Sequence, residues 1–168
     1  MKYKVMIVED QTMPRELFEL RVQASERFEL ALSIDNAALA DVYCLRFPVD
    51  LILMDVITRD GENGLDAAAR IKRAFPQIKI IIVTSMPECS YLKRAKEIGV
   101  ESFWYKEEQR ESLLDVMERT MNGESVYPGA SPELTLGMAS SYQFTERELD
   151  ILREITSGDT NQEIADRL

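Results

Sequence analysis

The sequence predicts an α/β protein built on a doubly wound parallel sheet of five strands, and three observations lead there. Up to about residue 121, short runs of aliphatic and β-branched residues alternate with longer amphipathic runs. Two of the short runs, LILM and IKIIIV, are apolar along almost their whole length, as strands covered by helices on both faces are. The short runs also end in acidic, hydroxyl or basic residues, at the sheet edge where doubly wound proteins bind their ligands.

Taken in order, the first strand spans 4–8 and its helix 14–26, opened by Pro14, whose fixed φ and missing N–H cost nothing in a first turn. Strand 28–34 leads to helix 37–47, which Asn36 can cap and Pro48 follows. Strand 51–54 leads to helix 64–75, closed before Pro76, and strand 79–83 to helix 88–98, where Gly99 suits the C-terminus. Strand 102–105 and helix 109–121 complete the fifth repeat. Right-handed crossovers then wind helices onto both faces, and the first domain spans 1–121. Residues 122–143 read as a linker, broken by Gly123, Pro128, Gly129, Pro132 and Gly137, with a short helix over 132–137. A second domain opens at 144–168: Thr145 and Glu148 form a capping box ahead of Leu149, Ile151 and Leu152, and another helix spans 160–168. Two such short helices enclose no core, so this domain is expected to continue past Leu168.

Composition narrows the chemistry. Thirty acidic against twenty basic residues give a net charge of −10, which opposes general attraction to nucleic acid, so any DNA contact must come from a local basic surface. There is no histidine, and Cys44 and Cys89 stand far apart without a CxxC pair. Zinc sites, disulfide scaffolds and histidine-based catalysis therefore have no support. The eight methionines read as core filler. No run is long and apolar enough to span a bilayer, and no cleavable leader precedes the first strand. A cytoplasmic protein with reduced thiols and no membrane partner is the expectation.

At the strand ends stand Glu9 and Asp10, then Asp55, then Thr84 and Ser85, then Tyr105 and Lys106. Carboxylates crowded at one edge repel unless a cation lies between them. Mg2+ suits such a set: it takes oxygen ligands and binds through a few carboxylates together with phosphate oxygens. Asp55 can then attack a phosphoryl donor while Mg2+ and Lys106 neutralise the transferring group and Thr84 donates to one of its oxygens.

The segments IVED, LILMD and IIVTS and the lysine of the fifth strand, in this order and spacing, resemble the receiver domains of two-component response regulators over roughly residues 3–121. FTERELDILREITSGDTNQEIADRL resembles the start of a LuxR-type helix-turn-helix, as in the NarL/FixJ group. The resemblance implies a flavodoxin-like receiver with Asp55 as phosphoacceptor, Glu9 and Asp10 as the acidic metal site, and the backbone carbonyl of Ile57 as a further metal ligand. It also implies Thr84 as the switch hydroxyl, Lys106 as the phosphate-sensing lysine and Phe103 as a rotating aromatic; packing in the core is the plainer role for Phe103. The implied partners are a histidine kinase and, for the full-length protein, promoter DNA. The DNA-reading helix falls after Leu168 in that family, so this chain itself would not read DNA. The chain is not expected to be an enzyme.

Two departures from the family pattern stand out: Glu107 follows Lys106 where many receivers carry proline, and the loop after Asp55 is altered. The loop VITRDGENG after Asp55 lacks the usual proline and carries one extra residue, displacing Gly64. Ile57 and Met86, which flank the phosphoryl site in this family, are apolar and cannot orient an attacking water, so a long-lived phosphoaspartate is expected. Lys93, Arg94 and Lys96 on the fourth helix and Glu111, Asp115 and Glu118 on the fifth read as solvated charge or as the pairing faces of a phosphorylation-dependent homodimer. A phosphorylation-independent interaction module and a metal-dependent phosphohydrolase are the competing functional classes; the second wants an acid close after its nucleophile, where Ile57 stands.

Overall fold

The computed structural model describes residues 2–86, 88–106 and 112–129, with backbone alone at 89, 135–136 and 139–140. Two compact units are formed, Met1–Ser131 and Pro132–Leu168. In the first unit the elements are β1 (Tyr3–Val8), α1 (Thr12–Ala24), β2 (Phe28–Ile34), a 3-10 turn (Ala37–Leu39) running into α2 (Ala40–Arg46), β3 (Leu51–Met54), α3 (Gly64–Ala74), β4 (Lys79–Thr84), α4 (Cys89–Ile98), β5 (Ser102–Tyr105) and α5 (Leu113–Met121). The five strands are parallel in the order β2-β1-β3-β4-β5, the doubly wound topology expected.

Strand alternation divides the core into two layers. Met6, Val8, Ile52, Met54, Ile80, Ile82 and Phe103 face α2, α3 and α4, while Val5, Ile7, Leu51, Leu53, Ile81, Val83 and Trp104 face α1 and α5. Both faces of the central strands are thus buried, which is why those strands lack polar alternation.

The ends of the elements follow local chemistry. Asn36 accepts from Ala38 N at 2.7 Å, Asn63 caps α3 by accepting from Leu65 N at 2.8 Å, and Ser112 caps α5 by accepting from Asp115 N at 3.2 Å. Gly99 ends α4 at a φ of 84°, a conformation in which any side chain is strained. Two boundaries differ from expectation. Helix α1 begins at Thr12, with Gln11 at the cap position making no side-chain bond, so no capping signal marks that start and Pro14 falls inside the first turn. Helix α5 is described from Leu113, and residues 109–111 of the expected helix lie outside the described residues.

In the second unit, Thr135–Leu136 and Ala139–Ser140 pair as antiparallel strands β6 and β7. Residues 135–136 are thus extended where a short helix was expected over 132–137, and the rest of that span lies outside the described residues. Residues 144–168, expected to open a helix-turn-helix, lie outside the described residues. Among the described residues, no helix is long and apolar enough to cross a membrane.

Candidate functional site

Backbone pairing carries the candidate residues to one edge of the sheet. Glu9 N donates to Ile34 O, Asp55 N to Val8 O and Lys106 N to Thr84 O, each at 2.9 Å. A residue one step beyond its own strand is therefore still fixed by the neighbouring strand, and the side chains of Glu9, Asp55 and Lys106 turn toward one another with little backbone freedom.

The result is one ammonium shared by two buried carboxylates. Lys106 Nζ lies 2.8 Å from Asp55 Oδ2 and 2.6 Å from Glu9 Oε2. Val56 N donates to Asp55 Oδ1 at 2.7 Å, and Gln11 N donates to Glu9 Oε1 at 3.2 Å. Glu9 is 1% and Asp55 6% exposed. Glu9 Oε2, fully enclosed, has the ammonium beside it but no well-directed hydrogen bond.

Electrostatics reflect that crowding. Burial, reinforced by the charge of Asp55, pushes the Glu9 carboxyl up to about 7 in spite of Lys106. Burial also raises Asp55, with Lys106 and the Val56 N–H pulling the other way. For Lys106, burial favours the neutral amine, but Asp55 and Glu9 outweigh it and hold the ammonium above its ordinary value.

Asp10, half-buried, completes an acidic set: Glu9, Asp10 and Asp55 can each direct one oxygen so that all three lie within 4.8 Å of one another. Three carboxyl groups facing one ammonium leave the site with an excess of negative charge. An all-oxygen donor set, that excess and an enclosed oxygen short of a hydrogen bond fit a hard divalent cation such as Mg2+.

The loop after Asp55 accommodates its extra residue as a miniature hairpin. Ile57 bridges Asn63 in antiparallel fashion. The flanking bonds run from Thr58 N to Glu62 O at 3.0 Å and from Gly64 N to Val56 O at 2.7 Å, so neither uses the Ile57 carbonyl, the expected metal ligand. The tip turns through left-handed backbone at Asp60 and Gly61. Buried Thr58 pins the hairpin, accepting from Ala37 N and donating to Glu62 O, each at 3.0 Å.

Thr84, the last residue of β4, is fully buried, and its Oγ1 accepts from Met86 N at 3.1 Å. Ile57 and Met86 are exposed apolar residues on the loops after Asp55 and Thr84. Phe103 is not in the polar cluster: it is buried in the core beneath α4, its ring centroid 5.0 Å from that of Tyr105.

Sequence reasoning missed Gly64. A Cβ there would lie 1.8 Å from the backbone oxygen of Asp55, so only glycine lets α3 begin against the backbone of the central aspartate. The displaced glycine in the loop pattern was the signal.

Residues 5–118 match the family described as "Response regulator receiver domain", and residues 142–168 match "Bacterial regulatory proteins, luxR family". The response regulator protein VraR of Staphylococcus epidermidis is 34% identical over 173 residues, an alignment covering 98% of this chain and 81% of that protein. Among solved structures, a LuxR-family DNA-binding response regulator from Staphylococcus aureus superposes with a TM-score of 0.63 at 27% identity, covering 71% of this chain and 96% of the other. The isolated receiver domain of RcsB from Salmonella enterica shares the fold with a TM-score of 0.69 at 15% identity, covering 77% and 95%. The chain belongs to the response regulators of two-component systems, pairing a receiver domain with a LuxR-type C-terminal region.

Proposed function

We propose that Asp55 is the phosphoacceptor, that Glu9, Asp10, Asp55 and the Ile57 carbonyl hold Mg2+, and that the phosphoryl group comes from a histidine kinase. The observation that carries this reading is the shared ammonium: Lys106 holds two buried carboxylates at 2.6 and 2.8 Å, and incoming phosphoryl oxygens give that ammonium a further anionic partner.

Asp55 forms the new P–O bond as the P–N bond to the donor histidine breaks and the imidazole leaves with the electron pair. Lys106 turns its ammonium toward a phosphoryl oxygen, and Thr84 exchanges its bond with Met86 N for donation to another. Bound Mg2+ supplies charge neutralisation for the donor and product phosphoryl group. Exposed Met13 and Leu17 on α1 border a groove of about 530 Å3 that reaches Ser85 and Lys106, which gives a protein donor an apolar surface beside the site.

Transcriptional control through promoter DNA belongs to the full-length protein in this reading, and the working compartment is the cytoplasm. Turnover of free phosphate esters is not part of it, because Ile57 leaves no acid where a hydrolase needs one. The charge-paired homodimer has competition inside the chain: Arg94 pairs with Asp66, Glu118 with Arg27, and Lys96 lies over the Tyr127 ring. A phosphorylation-driven dimer on another surface is compatible with these contacts; sedimentation of the protein with and without a phosphoryl mimic distinguishes the two.

The test is incubation with acetyl phosphate and Mg2+ followed by intact mass measurement. The wild type gains one phosphoryl group and Asp55→Ala gains none. No gain in wild type, or an equal gain in Asp55→Ala, overturns the assignment.

A further inference from the structure

The hairpin that follows Asp55 is braced from outside by the three residues that join β2 to the 3-10 turn. Asp35 O accepts from Arg59 N at 3.2 Å, and the Asp35 carboxylate pairs with the Arg59 guanidinium at 2.7 Å. Asn36 Nδ2 donates to Arg59 O at 3.1 Å. Ala37 N, the first amide of the turn, donates to Thr58 Oγ1 at 3.0 Å. The loop holds no proline to fix a φ of its own, so these bonds and its short ladder set its shape.

Thr58 differs from the other braces in where its bonds go. It is 2% exposed, and both its N–H and its hydroxyl donate to Glu62 O, each at 3.0 Å. Two donors from one residue on one carbonyl fix the rotation of the peptide plane that joins Ile57 to Thr58. That plane also carries the Ile57 carbonyl, and no peptide bond among the described residues is cis. In a trans peptide the C=O and N–H point opposite ways. An N–H aimed at Glu62 therefore aims the Ile57 carbonyl out of the hairpin, away from the ladder.

We propose that Thr58 is a positioning residue for the metal: its hydroxyl, held by Ala37 N, sets the direction of the Ile57 carbonyl and so controls how tightly the site takes Mg2+. This rests on the reading of the Ile57 carbonyl as a metal ligand. Mg2+ demands near-octahedral geometry at short oxygen distances, and a group that orients a ligand changes affinity without touching the ion. The hydroxyl works in both directions at once. It accepts from Ala37 and donates to Glu62, so a methyl group in its place leaves an amide without a partner and frees the peptide to rotate. Residues 35–37 thereby belong to the metal site without supplying a ligand, with Asn36 as an outer brace on the same loop.

The experiment titrates Mg2+ alone into the whole isotope-labelled chain and takes the Kd from the amide NMR shifts of Asp10 and Asp55. The same spectra show whether each variant is folded. Thr58→Val keeps the shape of the side chain and loses both hydroxyl bonds; it is expected to weaken Mg2+ binding by about tenfold or more, the usual cost of losing a group that orients a metal ligand. Thr58→Ser keeps both bonds and is expected to bind as the wild type does. Asn36→Ser keeps an acceptor for Ala38 N and loses the brace on Arg59 O, and is expected to weaken binding by about threefold, the scale of one ordinary hydrogen bond. Unchanged affinity in folded Thr58→Val, or equal losses in Thr58→Val and Thr58→Ser, overturns the positioning role and leaves the metal site standing. If Thr58→Val does not fold, unchanged affinity in Asn36→Ser overturns it. A wild-type chain that binds no Mg2+ overturns the metal site and the positioning role together.

Discussion

Two ion clusters, one part-buried and one buried, stand at opposite ends of the same sheet, and their difference separates structure from function. At the amino end of β4, Lys72 Nζ donates to Glu101 Oε1 at 2.7 Å, Ile78 O at 3.0 Å and Pro76 O at 3.2 Å, while Glu101 Oε2 accepts from Ile80 N at 2.9 Å. One cation meets one anion, and every partner is found. At the carboxyl end, one cation is shared by two acids with a third, Asp10, beside them, and an enclosed oxygen goes without a directed bond. The first arrangement is a clamp. The second is left short of positive charge, which a divalent ion and a transferring group can correct.

Three tests probe that contrast and a fourth gives a reference outside it, the largest effect first. Lys72→Met removes one side of the balanced pair and leaves part-buried Glu101 without its cation, at a cost of about 2 kcal/mol in unfolding free energy by urea titration. The folded fraction should still take phosphoryl from acetyl phosphate; loss of uptake would mean the clamp and the site are one system.

Glu9→Gln removes excess charge at the other end, so metal-free stability should rise by about 1–2 kcal/mol. The stabilisation that Mg2+ gives the wild type, seen as a higher Tm, should shrink in this variant. A drop in metal-free stability would show that Glu9 is a structural anchor like Glu101. Next, Ile57→Asn or Met86→Glu places a polar group beside the phosphoryl site and should shorten the phosphoaspartate lifetime by about tenfold. An unchanged decay would remove water exclusion as the cause of a long lifetime.

The smallest effect comes from a buried group in neither cluster. Burial, aided by Asp41, pushes the Cys44 thiol up to about 11 from its ordinary 9.0. A raised folded value means the neutral thiol is the favoured form, so its contribution is complete below pH 9 and is lost as pH rises through 11. Cys44→Ala should flatten the stability curve over that window by about 1 kcal/mol. Identical curves for the two proteins would show that the thiol is solvated.

The same contrast explains what the sequence could convey. Glu9, Asp55 and Lys106 were legible because charged residues directly after apolar strands have one sheet edge to occupy, and strand order brings those ends together. Asn36 and Gly99 were legible because caps and left-handed turns are local. The charge balance at the site was not, since it depends on how many acids a single ammonium reaches. The packing of Val126 and Tyr127 was hidden for a similar reason: 122–129 has the composition of a linker, and its partners Val100, Ser102 and Phe103 lie on β5 and the loop before it. The start of α1 was misplaced because Gln11 makes no capping bond.

The central claim is that the overloaded cluster takes its missing partner at Asp55. Reductive trapping tests it most directly: protein treated with acetyl phosphate and Mg2+ is reduced with borohydride, which converts a phosphoaspartate to homoserine, and the residue is located by peptide sequencing. Conversion at Asp55 alone is the expected result. Conversion at Asp10 or Asp60, or none in protein that has gained phosphoryl mass, would contradict the account.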